Sequence, residues 1–233
     1  MSASRFPSHF ENIVSNIRVV EDLTSIHRQI AGNTPGRKTR VEVLNKSAVV
    51  MLTACWESYV EDLVRNAFSH MLKNAPDHKI FPNSVLTKAS FGIKNDNDAR
   101  KVWDLAGDGW KKVLFDYSKT TLEKEIDHFH VPRPENIDAL YSKLLGISNV
   151  TKEWKWKKMS NENAIITLND FIDLRGEIAH NVRTNNSVWK KNVDDYLSFI
   201  KKASVILHNR VNSHIEKLLG KKAWRGALHG SVR

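Results

Sequence analysis

Across residues 39–73, Val49, Leu52, Trp56, Tyr59, Leu63, Ala67 and Met71 recur at steps of three or four positions. Steps of three and four fall on one face of an α-helix, which turns once in 3.6 residues. Val60, Val64 and Phe68 widen that face. An apolar surface this broad has to be covered from more than one side, so the helix is predicted to be the centre of a bundle. No strand-like alternation longer than four residues competes with it elsewhere in the chain.

The flanking segments supply the cover. Residues 11–30 carry Ile13, Val14, Ile17, Val20, Leu23 and Ile30 at mostly helical spacing, and Gly32-Asn33-Thr34-Pro35-Gly36 stops the run. Residues 98–105, 110–117, 121–129 and 135–145 read as short helices, with Pro132 and Pro134 as breaks and Gly146 as a stop. Residues 162–179 are helical through Ile165, Leu168, Phe171 and Ile172. A last long helix, with Ser187 as its N-cap, runs through Val193, Leu197, Ile200, Leu207, Val211, Ile215 and Leu218. The expected fold is all-α, an up-and-down helical bundle forming a single domain over 1–233. It has an N-terminal tail (1–8), a middle helical insertion (76–160) that decorates the bundle, and a frayed basic tail (219–233).

Composition narrows the function classes. No run of about 18 apolar residues occurs, so no membrane-spanning helix is expected. The first residues lack the apolar core of a secretory signal. The single cysteine, Cys55, lies in an apolar helical run; it reads as a core residue and suits a reducing cytoplasm. The formal net charge of +10 favours a polyanionic partner: nucleic acid, a phosphorylated ligand or an acidic protein. There is no P-loop, no dinucleotide glycine fingerprint and no serine-centred nucleophile motif. His128-Phe129-His130 lacks the further ligands of a zinc site, so no metal and no cofactor are expected.

Two segments carry candidate chemistry. Arg175 and His180 sit five positions apart where the late helix ends. Histidine exchanges protons near neutral pH, and arginine grips phosphate in a fixed fork, a minimal set for cutting a phosphodiester. Glu177, one turn before His180, and Asn181 are candidates to orient it. The competing structural reading makes Arg175 a buried ion-pair partner and His180 a helix cap. The second segment, Lys152-Glu153-Trp154-Lys155-Trp156-Lys157-Lys158, interleaves cations with indoles. Its lysines (Lys152, Lys155, Lys157, Lys158) would hold phosphates while Trp154 and Trp156 stack on bases. Equally, the lysines are a solvated face and the indoles are tucked into the bundle.

The segment Phe171-Ile172-Asp173-Leu174-Arg175-Gly176-Glu177-Ile178-Ala179-His180-Asn181 resembles the signature of the HEPN superfamily, helical bundles with an Arg-x4-6-His motif near the end of a late helix. Leu44-Asn45-Lys46-Ser47-Ala48-Val49-Val50-Met51-Leu52-Thr53-Ala54-Cys55-Trp56-Glu57-Ser58-Tyr59-Val60-Glu61-Asp62-Leu63 resembles the RiboL-PSP-HEPN branch, in which an Ala-x-Trp-Glu-x-Tyr-type helix comes first. The likeness is close over about 30 residues and extends to the rest only as a helical pattern. It implies metal-independent RNA cleavage, with two motifs meeting at a homodimer interface. Arg175 and His180 would be catalytic, and the products would be a 2′,3′-cyclic phosphate and a 5′-hydroxyl. It further implies a toxin or phage-defence role, with a neutralising or sensor partner protein. Active members often carry Asn, Asp or His after the arginine; here that residue is Gly176. The alternative it favours is an inactive module that binds RNA or protein. A scaffold with no nucleic-acid role is the third reading.

Overall fold

A computed structural model describes residues 6–31, 41–180 and 187–232. Among the described residues there are eight α-helices and no strand, as an all-α fold requires. Helix α1 (Ser8–Ala31) lies along α2 (Glu42–Asn74), burying Phe10, Ile13, Ile17 and Val20 at helical spacing. Helix α2 is the axis of the molecule and packs against α1, α6 (Pro134–Leu145), α7 (Asn161–His180) and α8 (Lys190–Leu219). The predicted stripe is the buried one: Val49, Leu52, Trp56, Tyr59, Leu63, Ala67 and Met71 are all in the core. Two buried tyrosines pair across helices, as an interior favours. The Tyr59 hydroxyl donates to the Ser204 carbonyl at 2.6 Å, and the Tyr141 hydroxyl to that of Val60 at 3.0 Å.

The middle segment is built into this core. Phe81 and Tyr117 stand 5.2 and 6.1 Å from Phe68 of α2, ring centre to ring centre. Val85, Leu114, Ile126, Ile137 and Leu144 belong to the same buried cluster, so the segment shares the core rather than decorating it. Helix α3 (Asn83–Lys94) is not foreseen from the sequence; among its side chains only Val85 is fully buried. Pro82 opens it: its carbonyl accepts from Val85 and Leu86. Helix α4 (Gly109–Tyr117) runs through a wide turn, Ser118–Leu122, straight into α5 (Glu123–Asp127). Gly146, at φ +74°, ends α6 in the left-handed conformation that glycine adopts without steric cost.

Two further expectations are corrected. Ser187 does not cap α8: the helix starts at Lys190, and the Trp189 backbone N–H donates to Asn192 Oδ1 at 2.9 Å. Asn45 holds the preceding residue against α2 by donating to the Val188 carbonyl at 2.9 Å, which keeps the chain extended there. The C-terminal segment is not frayed either. Asn212 Oδ1 accepts from the N–H groups of Ala223 and Trp224, and Asn209 exchanges two hydrogen bonds with Ala227. Beneath this strap lies a polar relay. Asn66 donates to His9 Nδ1 at 2.9 Å, His9 Nε2–H to His208 Nδ1 at 3.0 Å, and His208 Nε2–H to the Arg225 carbonyl at 2.9 Å. Each ring then has one donor and one acceptor in use, so both are satisfied only when neutral. No helix among the described residues is long and apolar enough to cross a membrane.

Candidate nuclease site

Helix α7 buries Ala164, Leu168, Phe171 and Ile172, then rises out of the core over its last two turns. Arg175 is half-buried, whereas Glu177 and His180 are exposed. Five residues of helix rotate a side chain by about 140°, so Arg175 and His180 leave α7 in different directions. Arg175 faces α2. Burial pushes the Glu57 carboxyl up and Glu61 adds to the rise, while Arg175 and His130 pull it back down. No carboxylate among the described residues lies within ion-pairing distance of the Arg175 guanidinium, so the buried ion-pair reading finds no partner there. No hydrogen bond among the described residues joins Glu177 to His180. Asn181 lies outside the described residues.

Glu57 and His130 are the residues that sequence reasoning missed. Glu57 follows Trp56 within the quoted α2 motif, so its position was visible and its role was not. His130 stood out in the sequence only as half of a metal pair that lacks further ligands; tertiary contacts, not spacing, bring it beside Glu57. The Trp56 indole N–H donates to the Pro132 carbonyl at 3.3 Å. Arg133 then pairs with Asp173 and reaches Asn169 Oδ1 at 3.3 Å. These contacts fasten the loop before α6 across the α2–α7 junction, leaving His130 exposed beside Glu57. His128 and His130 stand 6.3 Å apart, ring centre to ring centre. No group of three His, Cys, Asp or Glu residues that could hold a metal gathers among the described residues.

An open, mostly apolar groove of about 670 Å³ adjoins the motif. Val43, Val50 and Met51 of α2 line it together with Ile178, two residues before His180. Val43 is 60 % exposed, and Val50 and Met51 are each 36 % exposed, high values for apolar side chains beside a core.

The basic segment folds as a tight hairpin. Trp156 and Met159 exchange two backbone hydrogen bonds, and Lys158 takes φ +68° in the turn. Lys152, Lys155, Lys157 and Lys158 are exposed. Trp154 is 0 % exposed, edge-on to Trp56 at 5.8 Å and to Phe199 at 6.2 Å. Its expected role as a base-stacking residue is therefore corrected: the indole is packed into the core, with its Nε1–H finding no partner among the described residues. Trp156 is half-buried and packs on Phe199, with Lys202 Nζ 5.7 Å from its ring centre.

The RiboL-PSP-HEPN family model matches residues 11–213. No curated protein and no solved structure matches the chain. HEPN domains are commonly ribonucleases, which supports an RNA-related, ribonuclease-type function. The match takes in the α2 motif, the Arg175–His180 element and the helices between, and with that span the chain belongs to the RiboL-PSP-HEPN family.

Proposed function

We propose that the protein is an endoribonuclease that needs no metal ion, assembled when two copies pair through the exposed end of α7. The observation that carries this reading is Arg175: a half-buried guanidinium without a carboxylate partner among the described residues, one helical turn and a half from a solvent-facing histidine. A cation kept in that state is suited to an incoming phosphate. The apolar groove beside Ile178 supports the pairing, since an isologous contact there would cover Val43, Val50 and Met51 and bring two motifs together.

In the reaction, His180 of one copy takes the proton from a ribose 2′-hydroxyl. The oxygen attacks the adjacent phosphorus, and the bond to the 5′-oxygen breaks. His180 of the second copy gives that oxygen a proton. Arg175 holds the phosphate and stabilises the charge that develops on it. The products are a 2′,3′-cyclic phosphate and a 5′-hydroxyl. The Glu57 carboxylate feels the guanidinium across the helix junction without pairing with it; Glu177 and Asn181 are candidate orienting groups for His180. The exposed lysines of the hairpin bring RNA to the surface. We place the protein in the cytoplasm as a toxin or defence effector, held in check by a neutralising or sensor partner. A non-catalytic RNA-binding module of the same fold is the second reading, favoured by Gly176. The test is incubation of pure protein with RNA in excess chelator, followed by mass spectrometry of the ends. Cyclic phosphate ends support the proposal. RNA bound but intact favours the second reading.

A further inference from the structure

A cavity of about 360 Å³ opens between the 154–159 hairpin, α7 and α8, away from the groove beside Ile178. It lies near the lower end of the range of small-ligand sites, about 300–1,000 Å³. Its aromatic walls are Trp156, Tyr196 and Phe199. Phe199 backs the Trp156 indole at 5.7 Å, and Phe171 backs the Tyr196 ring at 4.5 Å, so both walls are held from behind.

The polar lining is unusual for a chain of net charge +10. Asp170 from α7 and Asp195 from α8 both line the cavity, and neither has a cationic partner within ion-pairing distance among the described residues. Both carboxylates act on Tyr196: burial pushes its hydroxyl up, and Asp170 and then Asp195 add to the rise. Asn192 spends its carbonyl oxygen on the Trp189 N–H, which leaves its amide N–H groups to donate. Lys202 brings one cation to the same cavity, above the indole.

Flat aromatic walls, carboxylate acceptors, an amide donor and a single cation together complement one nucleotide. We propose that this cavity seats one base of the RNA and that it selects guanine. The proposal rests on the RNA reading above and deepens it. Guanine presents N1–H and N2–H side by side, which match the two oxygens of one carboxylate, while its O6 accepts from an amide. Adenine and cytosine set an acceptor nitrogen beside their amino group, and that nitrogen repels a carboxylate. Uracil flanks its one N–H with two carbonyls. Lys202 takes the phosphate of the same nucleotide, and the hairpin lysines hold its neighbours. Asp170 and His180 lie ten residues apart on α7, about 15 Å along the axis and about 80° around it, so one strand can reach both.

Free nucleotides test this without any cleavage. Calorimetric titration of the full chain with guanosine, adenosine, cytidine and uridine 5′-monophosphates should show the guanine nucleotide binding at least about tenfold more tightly, the order expected of one bidentate pair. The Asp170→Asn/Asp195→Asn double variant should remove that preference. Lys202→Ala should weaken the monophosphate and leave guanosine unchanged. All three side chains are at least partly exposed, so the variants keep the fold. Equal binding of the four nucleotides, binding of none, or a guanine preference that survives the double variant would overturn the subsite. Guanine binding by a protein that cleaves no RNA would leave the subsite standing and sink the nuclease reading. Cleavage without guanine binding would do the reverse.

Discussion

His9 and His208 touch at the centre of the bundle, while His180 stands in solvent at the end of α7. Burial pushes His9 down to about 3, with His208 adding to the fall, and burial lowers His208 as well. Locked in a one-way relay from Asn66 to the Arg225 carbonyl, these rings cannot take a proton without breaking a hydrogen bond. His180 is exposed to solvent in the last turn of α7. The same side chain is thus an architectural part in one place and, in the proposed reaction, the proton carrier in the other.

The largest expected effect lies at the exposed end. His180→Ala should lower RNA cleavage by about 10²–10⁴-fold, the usual contribution of a positioned proton-transfer group. Its melting temperature should hardly move, because a histidine at a helix end contributes only about 0.3–1 kcal/mol. An inactive variant that is also unfolded would erase the contrast with the core pair.

The core should answer in the opposite way. Trp154→Ala should cost about 3–5 kcal/mol in a denaturant titration, with the salt dependence of RNA binding nearly unchanged. Lys155, Lys157 and Lys158 changed together to Ala should leave stability alone and flatten that dependence, by roughly 0.7 in log–log slope for each phosphate no longer neutralised. His208→Ala should cost about 2–4 kcal/mol, since it opens a cavity and strands His9, while cleavage per folded molecule persists.

Acid sharpens the comparison. His9 has a folded value far below its usual 6.5, so the unfolded chain gains a proton that the native relay refuses. The stabilisation is complete above about pH 6.5 and is lost progressively as the pH falls toward about 3. Denaturant titrations at pH 7.5 and 5 should show that loss in the parent and a smaller one in His9→Asn. A parent equally stable at both values would deny the relay its role. The smallest effect belongs to Gly176, where an added Cβ meets nothing within 4 Å. Gly176→Ala should stabilise α7 by roughly 0.5–1 kcal/mol, because glycine is the poorer helix former. Cleavage should not change, as no side chain at this position enters the mechanism.

The long helices were legible because each buries a wide periodic face, and α2 most clearly. Helix α3 was overlooked: Val85 is its one fully buried residue, and Leu86 and Ala89 reach the core only in part. The C-terminal strap was hidden for another reason: Asn209 and Asn212 act on backbone groups more than ten residues away, which leaves no local pattern. The Arg175–His180 spacing marked the candidate site, yet about 140° of helix separates the two directions. What lies on Arg175's side, Glu57 and His130, depends on how α2 and the loop before α6 meet α7. The hairpin shows the limit of reading composition. Trp154 and Trp156 stand two residues apart in one basic run, and the fold buries the first and gives the second to a cavity.

The division between core and surface histidines is tested most directly by the rate of RNA cleavage in excess chelator by His180→Ala, measured beside the parent and His208→Ala. The expected result is a cutting parent, a His208 variant that cuts in proportion to its folded fraction, and a fully folded His180 variant that does not cut. Cleavage that persists in His180→Ala, or that the chelator abolishes in the parent, would contradict it.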